Sequence, residues 1–279
     1  MKRFLREQTC RNGRFFYNLN DDYVGPSLHL YGEWAESEVH LFRQIVRPGD
    51  VVLEAGSNIG SHTVPLARLA GPTGRVHAFE PQNHVHQLLC ANLIANDCAN
   101  VCTSQSALGA TLHDTSFPDL PADGASNFGG ASMHMHDTPS RKVRVETVDS
   151  LELSRLDFLK ADIEGYEPEL LAGARATIER HRPIAFLESL NHFTGDLSGA
   201  FKDYFLPLGY RCWHYITPIY NAQNFNGLAV DVFPGRWSFD MLCVPEEKAE
   251  VRGLDDATTH PAECHDPDLW RRAEVMRRL

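Results

Sequence analysis

The sequence predicts an α/β fold: a mostly parallel seven-stranded sheet with helices on both faces. From residue 50 onward, short runs rich in β-branched residues alternate with longer amphipathic segments. This alternation is typical of strands joined by helical crossovers, which bring neighbouring strands into parallel pairs. The last two strand segments have no long helix between them, so we expect them to close the sheet as an antiparallel pair.

Each element rests on its own pattern of apolar residues. The apolar runs predict strands at 50–56 (DVVLEAG), 75–81 (RVHAFEP), 100–108 (NVCTSQSAL), 157–165 (DFLKADIEG), 182–189 (RPIAFLES), 211–216 (RCWHYI) and 240–245 (DMLCVP). Amphipathic periodicity predicts helices at 59–70, 82–95, 167–180 and 198–207.

Four segments organise the chain. Residues 41–245 form the predicted core domain, preceded by an N-terminal appendage at 1–40 and followed by a polar C-terminal tail with a short helix at 246–279. Residues 110–142 are rich in Gly, Pro, Ser and Asp and have no sustained periodicity. An insertion of that length without its own helix is more often a functional lid than a connector.

Composition limits the classes of function. The 279 residues are 43% hydrophobic, which suits a buried core, and 26 Lys and Arg against 37 Asp and Glu give a formal charge of -11. This charge disfavours nucleic acid as the main partner. The seven cysteines form no C-x-x-C pair and no apolar run reaches about 20 residues, so we expect a cytoplasmic protein with no membrane span. The oligomeric state, including a homo-oligomer, stays open.

A glycine turn follows the first predicted core strand. In LEAGSNIGSHT (53–63), Gly56 and Gly60 stand where a ligand approaches the carboxyl ends of a parallel sheet. Glu80 ends the next strand, twenty residues beyond Gly60, where a carboxylate can accept hydrogen bonds from both hydroxyls of a ribose. Together, the turn and the acid predict a nucleotide-type site, whereas a turn that only links strand to helix would leave Glu80 unexplained.

The turn departs from the pattern that binds a pyrophosphate. In G-x-G-x-x-G the second glycine lets the backbone approach the phosphates, but Asn58 and Ser61 take the second and third glycine positions. A ligand without pyrophosphate has less need of that approach, and the Glu54 carboxylate can pair with a positive charge on it. S-adenosylmethionine is such a ligand.

Several stretches carry a resemblance to a known family. YGEWAESEVHLFRQIVRPGDVVLEAGSNIGSHTVPLARL, GRVHAFEPQ, SALGA, NFGGAS, VETVDSL, KADIEGYEPELLAGARATIERHRPIAFLE and WHYITPIYNAQNFNG, from about residue 22 to about 245, resemble the FkbM family of S-adenosylmethionine-dependent methyltransferases. The resemblance implies a class I methyltransferase (Rossmann-like) fold with an antiparallel last strand. It also implies, mostly, O-methylation of sugars, glycans or secondary metabolites. The sequence departs from the family's common pattern at three places. Glu54 stands where the family often has Asp, Ser57 stands where it often has Ala, and LESLNHF stands where a run of acidic and basic residues is expected.

Ten residues are expected to bind the cofactor. They lie in or directly after the last residues of the first four core strands, whose carboxyl ends meet at one edge of the sheet. They are Glu54, Gly56, Ser57, Asn58, Gly60, Glu80, Pro81, Ser106, Ala107 and Asp162.

Three residues are candidates for the catalytic chemistry. Asp162 ends the fourth core strand in Asp-Ile-Glu-Gly, not in the Asn-Pro-Pro-Tyr type of run that cradles a planar nitrogen, so a hydroxyl acceptor is expected. It is a candidate base or orienting acid, with helix capping or cofactor binding as the alternative. Glu188 ends the fifth strand. His214 is an alternative base, or else a satisfied core histidine, and Glu164 is expected to cap a helix.

No metal site is predicted. Asp162 and Glu188 have the chemistry to share a divalent cation, but the sequence offers no obvious third ligand. His134 and His136 also lack a third ligand, so a solvated loop is the favoured interpretation.

The acceptor pocket is expected to combine rings with amides, which suit the apolar faces and hydroxyl fringe of a sugar. The candidates are Asn127, Phe128, Asn191, His192, Asn224 and Phe225. Ordinary turn chemistry accounts equally well for SNFGGAS and YNAQNFNG. YGEWAESE, ahead of the core, is expected to fold over the cofactor.

The sequence therefore favours an S-adenosylmethionine-dependent O-methyltransferase acting on a sugar, a glycan or a glycosylated metabolite. A nicotinamide-dependent oxidoreductase is the second hypothesis. The third is a non-catalytic nucleoside-sensing or scaffold protein whose C-terminal helix, DLWRRAEVMRRL, docks a partner enzyme.

Overall fold

The computed structural model describes residues 4–136, 138–262 and 266–278. The strands are β1 (Leu5–Cys10), β2 (Gly13–Asn18), β3 (Val51–Ala55), β4 (Arg75–Phe79), β5 (Val101–Ser104), β6 (Ala107–Leu108), β7 (His113–Pro118), β8 (Ser140–Glu146), β9 (Phe158–Ala161), β10 (Ile184–Glu188), β11 (Leu190–Asn191), β12 (Gly195–Asp196), β13 (Tyr210–Pro218), β14 (Trp237–Pro245), β15 (Ala249–Arg252), β16 (Asp255–Asp256) and β17 (Glu274–Arg277).

The α-helices are α1 (Val24–Tyr31), α2 (Glu36–Ile45), α3 (Thr63–Ala70), α4 (Asn83–Ala95), α5 (Glu167–Ala172), α6 (Arg175–His181), α7 (Ser198–Phe205) and α8 (Leu269–Arg272). Within the described ranges, no helix has both the length and the hydropathy that crossing a bilayer requires.

The central sheet has the strand order β16-β13-β14-β10-β9-β3-β4-β5. The five strands from β10 to β5 in this order are mutually parallel, and β14 runs antiparallel between β10 and β13. The mostly parallel α/β sheet with an antiparallel last long strand is thus confirmed. The sheet has eight strands where seven were predicted, because the two-residue strand β16 pairs with β13 at the edge of the sheet.

The sheet strands are apolar on both faces because both faces are covered. In β10, Ala185 and Leu187 belong to one apolar cluster, while Ile184 and Phe186 belong to the other. Alternate residues of a strand point to opposite faces, so a strand with continuous apolar residues lies between two layers. The core therefore holds the carboxyl ends of the parallel strands at one common edge.

Two predicted helices differ from the observed ones. The helix predicted at 59–70 begins at Thr63, because Asn58 and Gly60 have positive φ angles of 48° and 88° and form a turn. The helix predicted at 167–180 is divided into α5 and α6. A Cβ on Gly173 would lie 2.0 Å from the carbonyl oxygen of Gly109, so only glycine permits the close approach at this break.

The two end segments are part of the core. The predicted boundary at residue 41 falls inside α2, which buries Leu41, Phe42 and Ile45 against the sheet. The C-terminal segment is not a polar tail: Trp270 and Val275 are buried in the same cluster, and β15 pairs with β17. The predicted final helix spans only the four residues of α8 before the chain continues into β17.

The predicted insertion contains β7 and the first three residues of β8, and these two strands form a three-stranded sheet with β6. Apart from a bridge between Asp21 and Ser126, the described residues between β7 and β8 form no helix or strand. The Asp21 carboxylate accepts hydrogen bonds from the backbone N–H groups of Gly25 and Phe128. This carboxylate ties the insertion to the N-terminal segment.

Candidate active site

A cavity of about 640 Å³ lies at the carboxyl ends of β3, β4, β9 and β10. The insertion contributes one wall, which includes Phe117, Asn127 and Met133. Trp34 and Glu38 of the N-terminal segment also line it. The cavity therefore lies between the edge of the sheet, the insertion and the N-terminal segment.

The glycine turn forms the floor of this cavity. Gly56 has a φ of 78°, and a Cβ on it would lie 1.9 Å from the carbonyl oxygen of Asp162. Its backbone N–H and that of Ser57 both donate to the carbonyl oxygen of Phe79, each at 3.0 Å. The turn passes this close to the end of β9 because residue 56 has no side chain.

Glu80 faces the cavity with its carboxylate held in place. One carboxylate oxygen accepts a hydrogen bond from the backbone N–H of Gln82 at 2.8 Å, and the other accepts one from Asn58 at 3.0 Å. Burial is the main reason that the pKa of Glu80 is raised to about 7. Each carboxylate oxygen has two lone pairs, so both can still accept a hydroxyl hydrogen from a ligand.

Glu54 offers an oxygen that nothing else uses. Its Oε2 accepts a hydrogen bond from the Thr63 hydroxyl at 2.6 Å, whereas its Oε1 is buried and has no hydrogen-bond partner. Burial raises the pKa of Glu54 to about 7. A buried oxygen without a partner is costly, so this position suits a ligand that brings a donor or a positive charge.

A buried lysine lies among these acids. The Lys160 side chain is 2% exposed, and its Nζ lies 3.3 Å from Oδ2 of Asp162. Burial lowers the pKa of Lys160, but the neighbouring carboxylates outweigh it and hold the ammonium charged; they are Asp162, Glu38, Glu54 and Asp240. Sequence analysis missed this network, although KADIEG was singled out for its acids.

Three carboxylates converge beside this network. Asp162, Glu164 and Glu188 each place one oxygen within 4.8 Å of the others. Glu164 does not have the predicted capping role, because among the described residues no side chain caps the first turn of α5. The Glu167 carboxylate accepts hydrogen bonds from the backbone N–H groups of Ile163 and Gly165, in the loop before that helix. Glu164 is therefore directed to the cavity, which it lines.

Most of the predicted site residues come together. Those that line the cavity are Glu54, Gly56, Ser57, Asn58, Glu80, Pro81, Ser106, Ala107, Asp162, Glu188, Asn127, Asn191 and His192. Gly60 is not among the lining residues, but its positive φ shapes the turn.

The structure places four candidates elsewhere. His214 is buried in β13, where its Nε2 hydrogen-bonds to the carbonyl oxygen of His260, so it is a core histidine and not a base. Phe128 packs into the core under the insertion. Asn224 donates to backbone carbonyls of its own turn, and Phe225 is 48% exposed on that turn, outside the cavity. The interpretation of YNAQNFNG as turn chemistry is the correct one.

His62 is a further residue that sequence analysis missed. It lines the cavity, and its Nε2 is buried without a hydrogen-bond partner. Burial holds the pKa of His62 well below its ordinary value, so the ring is neutral at neutral pH. Its place directly after the glycine turn, in GSHT, was the available signal.

Comparison with known proteins gives the family. The model described as the methyltransferase FkbM domain matches residues 54–212, more than half of the chain. Methyltransferase sdnD of Sordaria araneosa is 28% identical over 155 residues, which are 44% of this chain and 59% of that protein. The 31-O-demethyl-FK506 methyltransferase FkbM of Streptomyces tacrolimicus is 27% identical over 181 residues, 54% of this chain and 69% of that protein.

The comparison with solved structures also gives a match. The crystal structure of methyltransferase FkbM from Methylobacillus flagellatus is 18% identical and covers 80% of this chain and 55% of that one, with a TM-score of 0.46.

The residues at the sheet edge fit the methyl donor of such enzymes. S-adenosylmethionine carries ribose hydroxyls, which match the acceptor oxygens of Glu80, and an ammonium, which matches the unpartnered oxygen of Glu54. The cofactor is S-adenosylmethionine, and the chain belongs to the FkbM family of methyltransferases.

Proposed function

We propose that the protein is an S-adenosylmethionine-dependent O-methyltransferase that acts on a hydroxyl of a sugar, a glycan or a glycosylated secondary metabolite. The observation that carries this proposal is the placement of Asp162 and Glu188 in the same cavity as Glu80 and Glu54. Carboxylates beside a methyl donor can orient a hydroxyl and take its proton.

The cofactor half of the site is formed by Glu80, Glu54 and the glycine turn. Bound S-adenosylmethionine supplies an electrophilic methyl group on a sulfonium. Glu80 would accept the ribose hydroxyls, and Glu54 would pair with the ammonium. Gly56 and Ser57 keep this part of the cavity open, because neither places a large side chain over the end of β3.

The acceptor half begins at Asp162. Its side chain is 42% exposed, and Lys160 holds its Oδ2. The other carboxylate oxygen remains available to a hydroxyl of the acceptor. Methyl transfer requires the oxygen, the methyl carbon and the sulfur in line, so a carboxylate fixed by a buried lysine favours the reaction by orienting the acceptor.

The lining of the cavity supports a neutral acceptor with apolar and polar faces. Met133 and Trp237 offer apolar surface, while Asn127 and Asn191 offer amides near it, as a sugar ring requires. The excess of carboxylates over cations in the lining disfavours an anionic acceptor. The name of the Streptomyces relative, a 31-O-demethyl-FK506 methyltransferase, gives oxygen as the atom methylated there.

The test is a labelling experiment with tritiated-methyl S-adenosylmethionine and extract depleted of methylated products. The label is expected in a small sugar-bearing or glycan fraction, and Asp162→Asn is expected to lose most of it while still binding the cofactor. Asp203→Asn, on the exposed surface of α7, is the matched control. Label in protein or nucleic acid would contradict the acceptor class.

The two other hypotheses have less support. The family match is to methyltransferases, not to nicotinamide-dependent oxidoreductases. A docking role for the C-terminal helix conflicts with the position of Trp270, which is 6% exposed and packs its ring edge-to-face against His40. That side chain is occupied within the chain itself.

A further inference from the structure

We propose that Asp162, Glu164 and Glu188 bind one divalent, oxygen-preferring metal ion, of the Mg²⁺ or Mn²⁺ type, which holds the acceptor hydroxyl beside the methyl donor. This inference rests on the proposed function, because it concerns the acceptor half of the same site. Glu164 supplies the third ligand that the sequence does not reveal.

The fold brings the three carboxylates together from two neighbouring strands. Ala161 and Leu187 pair in the register of β9 and β10, so Asp162 and Glu188 follow side by side at the carboxyl ends of parallel strands. The chain then turns back at Glu164, whose φ is 55°, and at Gly165, whose φ is 95°.

Two side chains hold Glu164 in this conformation. Glu167 accepts hydrogen bonds from the backbone N–H groups on both sides of Glu164, at 2.7 Å and 3.0 Å. The Ser132 hydroxyl, from the insertion, donates to the carbonyl oxygen of Glu164 at 2.7 Å. A positive φ is strained for a residue with a side chain, and functional sites are where such strain is retained.

An independent observation points to a ligand at this position. The Oε2 atom of Glu188 is buried and has no hydrogen-bond partner. Within the described part of the chain, the carboxylate of Glu164 likewise accepts no hydrogen bond, and the contact of Asp162 is to Lys160. A buried carboxylate oxygen without a donor is costly, and a metal ion removes that cost by binding it directly.

The three carboxylates lie close enough for their negative charges to repel one another, since each places one oxygen within 4.8 Å of the others. A divalent ion bound between them neutralises two of the three negative charges.

The ligand set determines the type of ion and its chemistry. Three carboxylate oxygens suit a hard cation, and the open side of the cavity leaves coordination positions for the acceptor. A hydroxyl bound there is more acidic than a free one. Its O–H bond breaks and the proton passes to a carboxylate oxygen that the metal leaves free. The oxygen then bonds to the methyl carbon, while the S–C bond breaks and the sulfonium becomes a thioether.

The experiment is a titration of the full chain with Mn²⁺, followed by electron paramagnetic resonance, without acceptor. Wild type is expected to bind one Mn²⁺ that Mg²⁺ displaces, and Glu188→Gln and Glu164→Gln are expected to weaken binding by at least about tenfold. Glu169→Gln, on the same helix as Glu167 but outside the cavity, is the matched control and should bind as wild type does. Circular dichroism establishes that each variant is folded.

The result that would overturn the proposal is a wild type that binds no Mn²⁺ at millimolar concentration, or two folded cluster variants that bind it as wild type does. Two further experiments separate failure of the metal inference from failure of the proposed function. They are calorimetric titration with S-adenosylmethionine and the labelling assay in the presence of EDTA. Methyl transfer that persists in EDTA overturns the metal inference alone. Metal binding without label in a hydroxyl-bearing product leaves the metal inference in place and contradicts the proposed function.

Discussion

Glu80→Gln is the substitution that most sharply tests how the cavity recognises its cofactor. The Glu80 carboxylate already accepts one backbone hydrogen bond on each oxygen and would accept the two ribose hydroxyls as well. Glutamine keeps the shape but removes the charge, and its amide nitrogen replaces one of the two acceptors. A hydrogen bond to a charged group contributes about 1.5–3 kcal/mol, so we expect a loss of about 2–4 kcal/mol in binding.

This loss corresponds to a dissociation constant roughly 30- to 700-fold higher for S-adenosylmethionine, measured by isothermal titration calorimetry at pH 8. The pH dependence gives a second readout. The pKa of Glu80 is raised to about 7, so the carboxylate is protonated below that value and loses an acceptor. Wild-type affinity should therefore rise between pH 6 and pH 8, and the affinity of the variant should rise less. A folded Glu80→Gln variant within threefold of wild type at pH 8 would refute the ribose assignment.

Four further predictions concern the stability of the fold and of the buried charges. Gly56→Ala should destabilise the fold by roughly 3 kcal/mol or more, since the Cβ of the new alanine would clash with the carbonyl oxygen of Asp162. Urea unfolding measures this loss, and a variant whose urea midpoint equals that of wild type would contradict the prediction. Lys160→Met should cost about 3–5 kcal/mol at pH 8 by leaving buried carboxylates without their cation, and unchanged stability would show that the network is not ionised. Trp270→Ala should cost about 3–5 kcal/mol in chemical unfolding, whereas a true tail residue would cost almost nothing. Glu54 binds its proton more tightly in the folded protein, where its pKa is about 7, than in the unfolded chain, where it is 4.5. The unfolding free energy of the cofactor-free protein should therefore fall as the pH rises from about 5 to about 7. The expected slope is up to about 1.4 kcal/mol per pH unit for each such group. Stability that rises over this range would contradict that assignment.

The parts of the fold that could be predicted are those set by local pattern. Continuous apolar runs predicted the core strands, and the glycine turn with Glu80 predicted the edge of the sheet at which the cavity lies, because both signals lie within a few tens of residues. The C-terminal segment was misjudged, since its composition is polar and only a few residues such as Trp270 and Val275 carry its packing against α2. The residues of α2 in that cluster lie more than two hundred residues away in the chain.

The acceptor half of the site was harder to predict for a similar reason. In the sequence, Lys160 looks like an ordinary strand residue. Its role as the cation of a buried network depends on Glu38 and Asp240, which are far apart in the sequence. The direction of Glu164 depends on a positive φ at a residue that gives no sequence signal for one. Aromatic and amide residues at 224 and 225 suggested a sugar site, but the chain uses them to build a turn.

The most direct test of the account is to identify the atom that receives the methyl group. The purified chain is incubated with ¹³C-methyl S-adenosylmethionine and the small-molecule and glycan fractions of its source cells, and the labelled product is examined by carbon NMR. The account predicts one new signal with the chemical shift of a methyl ether, present with wild type and Asp203→Asn and lost with Asp162→Asn. A signal in the range of N-methyl or C-methyl groups, or an ether signal that Asp162→Asn leaves at full intensity, would contradict it.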